Sequence, residues 1–128
     1  MTALICGSLA YDTVMVFNGR FKDHILPDSI HMLSVSFFVP ELRRNYGGCA
    51  GNIAYNLKLL GGDPLIMATV GDDFGPYRER LDKLGIVRTH VREISGAFVP
   101  QAFITTDLNA NRITAFHPGA MASSYLNK

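Results

Sequence analysis

RRNYGGCAGNIAYNLKLLGGDPLIMATVGDDFG, residues 43–75, decides how the rest of the chain is read. Ile53, Ala54, Leu57 and Leu60 fall at i, i+1, i+4 and i+7, the stripe of an amphipathic helix over 51–60. Tyr55 and Leu59 are also apolar, which predicts cover on more than one side. Gly61-Gly62 ends the helix, because glycine accepts the left-handed conformation that closes a last turn. Residues 64–70 form an unbroken apolar run, as in a strand buried on both faces. Asp72-Asp73 then stands where acids cap the exposed N–H groups of a helix. That helix is predicted over 74–84, with Phe74, Tyr77, Leu81 and Leu84 on one stripe and Gly85 closing it. Alternating strands and helices imply a parallel sheet with right-handed crossovers.

On either side of this block the chain is richer in β signals. Residues 3–7 read as a buried strand, and 13–17 as an extended run of β-branched and aromatic residues. Alternation over 32–39 predicts a strand with one covered face, ended by Pro40. A short strand is expected within 87–94. Residues 101–106 and 112–116 are two β-rich runs joined by 107–111, a hairpin loop with Asn109 and Asn111 as turn residues. These runs lack crossover helices and predict a separate antiparallel patch beside the α/β body. The 128 residues suit one domain or part of one. Because 120–128 reads as the opening of another element, the expectation is a part.

Composition removes several function classes. The chain is 48% hydrophobic and 18% charged with net charge +1, an ordinary globular balance without the basic footprint of a nucleic-acid binder. No apolar run approaches the roughly 20 residues that span a bilayer, and no secretory signal is present, so a cytoplasmic protein without membrane or nucleic-acid partners is expected. Cys6 and Cys49 read as small buried hydrophobes rather than a disulfide. His24, His31, His90 and His117 are scattered without metal-ligand spacing.

Two places can carry chemistry. Gly47-Gly48-Cys49-Ala50-Gly51-Asn52 puts close-approach backbone, a helix N-terminus and a donor–acceptor amide together, which suits a polyhydroxylated ligand or an anion. Its plain alternative is a loop-to-helix junction whose glycines only permit packing. The glycine spacing is neither a Walker A loop nor G-x-G-x-x-G. Asp12 follows the first strand at its carboxyl end, where open α/β sheets bind ligands. A carboxylate there can accept from two neighbouring hydroxyls; the alternative is a turn-capping aspartate. Asp72 and Asp73 read as helix caps, not as a catalytic pair.

GSLAYD, GGCAGNIAYNL, LGG and VGDDFG, in this order and spacing, resemble the amino-terminal half of a PfkB-type, ribokinase-like carbohydrate and nucleoside kinase. The resemblance implies a mostly parallel sheet flanked by helices, with a small β-sheet lid that closes over a sugar. The runs 13–17, 32–39, 101–106 and 112–116 lie where that lid would be. It assigns Asp12 to sugar hydroxyls, and Gly47, Gly48 and Asn52 to the helix-end contact with the same sugar. Cys49 lines that site and offers its backbone N–H. YDT, VSFFVP and TTDLNANRITAFHPGAM are most similar to bacterial adenosine-kinase-like members, and many ribokinases carry Asn where Ala10 stands. A nucleoside acceptor, adenosine or a related ribonucleoside, is therefore favoured, with Phe37, Phe103 and Phe116 as lid contacts. The resemblance further implies ATP and Mg²⁺, allows a monovalent cation, and admits a homodimer through lid strands. The Gly-Ala-Gly-Asp turn that supplies the family's catalytic base is not in these 128 residues, so the base is expected beyond Lys128 and this stretch alone is expected to be inactive. The competing expectation is a non-catalytic ligand-binding or dimerising remnant; a dinucleotide-binding Rossmann domain ranks below both.

Overall fold

The computed structural model describes residues 2–25, 28 and 34–128. Strands β1 (Thr2–Cys6) and β2 (Ala10–Val16) are followed by a 3-10 turn at Phe21–Asp23. Next come β3 (Glu41–Gly47), helix α1 (Cys49–Leu59), β4 (Asp63–Val70) and helix α2 (Gly75–Lys83). The chain continues through β5 (Val91–Glu93), β6 (Gln101–Thr106), β7 (Arg112–His117) and 3-10 turns over Gly119–Leu126. β1, β4 and β5 make a parallel three-stranded sheet in the order β1-β4-β5. A mixed four-stranded sheet has the order β3-β2-β6-β7, parallel only between β2 and β6.

The helix–strand–helix centre follows its apolar pattern. Ala50 and Ala54, both fully buried, bring α1 close to the sheet, while Ile66, Ala68 and Val70 of β4 and Tyr77 and Leu81 of α2 complete one core. Both helices end the same way. Gly61 (φ +87°) lets its N–H reach Lys58 O at 3.0 Å and the Gly62 N–H reach Leu57 O at 2.9 Å. Gly85 (φ +71°) repeats this, with Gly85 N–H on Asp82 O and Ile86 N–H on Leu81 O. These paired bonds satisfy carbonyls that a bare helix end would leave open. The wider cover expected for α1 is not seen: Ile53, Leu59 and Leu60 are exposed among the described residues.

Other expectations need correction, among them the antiparallel patch, which is a mixed sheet because β2 and β6 run parallel. Residues 34–39 form no strand, and Met32 and Leu33 lie outside the described residues. The strand that pairs with β2 is instead Glu41–Gly47, a charged, largely exposed edge. An edge strand with little covered surface needs no alternating apolar residues, and charges there block unwanted pairing, so its sequence carries no period-2 signal. Asp72 and Asp73 do not cap α2, whose N-cap residue Phe74 makes no side-chain cap bond. They anchor the segment that enters β6: Gly96 N–H donates to Asp72 Oδ2 (2.9 Å), Val99 N–H to Asp73 Oδ1 (2.7 Å), and Gln101 Nε2 to Asp73 Oδ2 (2.9 Å). Cys6 and Cys49 are exposed among the described residues, not buried hydrophobes.

The far end of the mixed sheet is organised by Asp107. Its carboxylate accepts from the backbone N–H groups of Phe21, Asn109 and Asn111, and Ala110 takes the positive φ of the turn. Burial pushes the Asp107 carboxyl up, but these donors outweigh it and hold the group below the ordinary carboxylate range. A lowered folded-state pKa contributes stability above the unfolded value and loses it as pH falls through the folded one. Asp107→Ala is thus expected to lower Tm at neutral pH, with the deficit shrinking on acidification; a deficit equal at pH 7 and pH 3 would contradict the assignment.

Candidate functional site

The site is built where β1, β2, β3 and α1 meet. After β1 the chain turns through Gly7-Ser8-Leu9 into β2, and after β3 it turns through Gly48 into α1. Ser8 joins the two turns: its hydroxyl accepts the Cys49 N–H (3.1 Å) and its carbonyl the Ala50 N–H (3.0 Å). The Cys49 N–H, expected to face a ligand, donates to the Ser8 hydroxyl within the chain. Ser8 was missed because its role depends on a partner forty residues away; Ser in GSLAYD is only a generic turn residue.

The two glycines meet different neighbours. Gly48 adopts φ +91° and ψ 148°, a region essentially restricted to glycine, and a Cβ there would overlap the Ser8 carbonyl. A Cβ on Gly47 would overlap Asp12 Oδ2. Gly48 is thus fixed by backbone conformation and packing, while Gly47 keeps room for a carboxylate. Asp12 is half-buried beside it, and burial raises its pKa above the ordinary carboxylate value. Asn52, one turn into α1, presents an exposed side-chain amide, its own N–H donating to Gly48 O (3.0 Å).

Strand register decides which aromatics share the Asp12 face. Residues paired directly across a sheet point to the same side, and neighbours along a strand alternate. Asn45 pairs with Asp12, Asp12 with Ala102 and Ala102 with Phe116, so these four form one row on one face. Phe116 is exposed there. Phe103 belongs to the next row, with Arg44, Thr13 and Ala115, and faces the other way. Phe103, expected as a lid contact, therefore lies on the opposite face of the mixed sheet from Asp12. Phe37 sits among Phe17 (4.8 Å between centroids), Phe21 (5.2 Å) and His24 (6.0 Å), filling the far end of the molecule. Asn45 was overlooked in the sequence, because its place opposite Asp12 exists only through the β2–β3 pairing. A cleft of about 570 Å³ opens at the carboxyl ends of β1 and β4, beside Ser8, Cys49 and Thr69.

An aspartate whose folded-state pKa is raised costs stability once pH climbs past that pKa. Asp12→Asn is expected to raise Tm at neutral pH, the gain fading as pH falls below the ordinary carboxylate value. Equal Tm for the two proteins at pH 7 would show that Asp12 bears no such burden. A functional group held at a stability cost is a common mark of a site.

Residues 13–128 match the profile of the pfkB family carbohydrate kinases. The chain belongs to this family. A nucleoside kinase of Methanothermobacter thermautotrophicus is 33% identical over 111 residues, covering 85% of this chain and 36% of that protein. The structure of Burkholderia thailandensis nucleoside kinase in complex with inosine superimposes with a TM-score of 0.81 at 53% identity, over 99% of this chain and 39% of that one. The nucleoside kinase of Methanocaldococcus jannaschii, an archaeal member of the ribokinase family, also superimposes at 0.81, with 29% identity over 99% of this chain and 40% of that one. The fold of this pfkB-family chain is ribokinase-like, and the chain spans about two-fifths of the length of these relatives.

No described helix is long and apolar enough to cross a membrane. Among the described residues, no three His, Cys, Asp or Glu side chains converge as a metal seat. The described residues thus do not fit a Mg²⁺ ion.

Proposed function

We propose that these residues are the acceptor-binding part of an ATP-dependent kinase that phosphorylates the primary hydroxyl of a ribonucleoside, adenosine or a close purine relative. The observation that carries this reading is the half-buried Asp12 carboxylate beside the bare backbone of Gly47 at the start of α1. A carboxylate in that position accepts two vicinal ribose hydroxyls and orients the sugar. Asn52 adds a donor and an acceptor from the helix. Asn45 flanks Asp12 in its row, and the exposed Phe116 ring supplies a stacking surface for a base. The inosine-bound relative supports a nucleoside over a free sugar.

In this reading the mixed sheet is the lid, and it excludes water when it closes on the acceptor. Phosphoryl transfer then depends on positioning and charge neutralisation. The base lies outside these residues, so the 128-residue stretch alone binds acceptor without turning it over.

A phosphoryl-transfer screen of the full-length protein against ribose, fructose phosphates, adenosine, guanosine and inosine tests the assignment. The expected outcome is the highest kcat/KM with a purine nucleoside; preference for a free sugar over every nucleoside would sink it.

A further inference from the structure

Tyr77, a core residue of α2, also reaches the Gly47 turn of the candidate site. It is buried, 2% exposed, and its hydroxyl donates to the Gly47 carbonyl at 2.7 Å. The space that receives this hydroxyl exists because residue 51 is glycine: a Cβ there would overlap the Tyr77 oxygen and crowd Leu9 Cδ2 at 3.1 Å. The backbone of Tyr77 is held as well. Its N–H donates to the Tyr11 hydroxyl (3.3 Å), which itself donates to the Asp73 carbonyl (2.7 Å). Tyr11 is the residue before Asp12, and Gly47 is the backbone against the Asp12 carboxylate. One tyrosine hydroxyl thus holds the carbonyl of Gly47, and the other ties the residue before Asp12 to the start of α2.

The ring packing makes the arrangement stiff. Tyr11, Tyr46 and Tyr77 lie 5.2–6.1 Å apart between centroids, at tilts that aromatic pairs favour. Burial of the Tyr77 phenol raises its pKa, so it stays a neutral donor across the physiological range. A phenylalanine would fill the same volume and cost less to bury. The hydroxyl bonds the carbonyl of Gly47, the residue whose Cα faces Asp12 Oδ2.

We infer that Tyr77 is a positioning residue of the acceptor site: through its bond to Gly47 it fixes the diglycine turn against Asp12 and so sets affinity for the acceptor. The inference rests on the acceptor reading of Asp12 given above.

The test compares Tyr77→Phe, Gly51→Ala and Asp12→Ala in the full-length protein, measuring the KM of adenosine and of ATP, kcat, and Tm. Tyr77→Phe removes the hydroxyl alone. Gly51→Ala keeps it but displaces it from Gly47, and serves if the first variant folds poorly. Either is expected to raise the adenosine KM about tenfold with the ATP KM unchanged, the size of effect that one lost buried hydrogen bond produces. An unchanged adenosine KM in a folded variant would overturn the inference. Parallel losses in adenosine and ATP kinetics that track a fall in Tm would also overturn it, since they mark a merely structural tyrosine. Asp12→Ala separates the two levels: if it leaves the adenosine KM unaltered, the acceptor reading itself fails; if it destroys binding while Tyr77→Phe does not, only the role of Tyr77 falls.

Discussion

Asp12→Ala in the full-length protein is expected to weaken acceptor binding by roughly two to four orders of magnitude while leaving the fold intact. The size follows from the chemistry. Each hydrogen bond to a charged group contributes about 1.5–3 kcal/mol, and a carboxylate gripping a vicinal diol makes two. Loss of about 3–6 kcal/mol corresponds to roughly 10²–10⁴-fold at 1.36 kcal/mol per decade. The fold should survive because the half-buried carboxylate has a raised pKa and adds no stability at neutral pH. Calorimetric titration with adenosine and a thermal melt at pH 7 check both halves. Undiminished affinity would remove Asp12 from the site, and a collapse of Tm would make it a structural residue.

Gly48→Ala is expected to damage both stability and binding. At φ +91° and ψ 148° an L-residue is strained by about 1–3 kcal/mol, and the added methyl would overlap the Ser8 carbonyl that holds the Ala50 N–H. Relief requires the β1–β2 turn to move away from the start of α1. A fall in Tm of roughly 5–10 °C is expected, together with loss of acceptor binding, because the displaced turn leads directly into Asp12. Gly61→Ala is the matched control: it also has positive φ (+87°), but a Cβ there meets nothing within 4 Å. It should cost stability and spare binding. Equal binding losses in the two variants would show that backbone strain alone, not the Ser8 contact, is responsible.

These effects could be anticipated unevenly from the residues. Ala54, Leu57, the run from Leu65 to Val70 and the Tyr77/Leu81 stripe display their periods openly, because they pack against several elements at once and the hydrophobic effect writes that burial into the pattern. The glycines after α1 and α2 are equally legible, since a left-handed helix end leaves little choice of residue. Strand β3 was not legible. ELRRNYG lies on an edge, and its place is chosen by hydrogen bonds to β2 that any side chain permits. Asp72 and Asp73 misled in the opposite way: carboxylates beside a helix start look like caps, and only the return of the chain through 96–101 supplies the donors they prefer.

The candidate site divides along the same line. Its most informative members, Asp12, Gly47, Gly48 and Asn52, stood out in the sequence because each is a residue type with a restricted chemical or conformational purpose. The family and the ribokinase-like fold entered through the resemblance carried by GSLAYD, GGCAGNIAYNL, LGG and VGDDFG. What only the tertiary structure decided is which groups meet: Ser8 occupying the first N–H groups of α1, Asn45 and Phe116 in the row of Asp12, Phe103 turned to the opposite face, and Tyr77 bonded to Gly47. Local propensity and periodicity act over one or two helical turns and are written residue by residue. Register between strands, and a hydroxyl reaching a carbonyl thirty residues away, depend on the assembled core and leave no local mark.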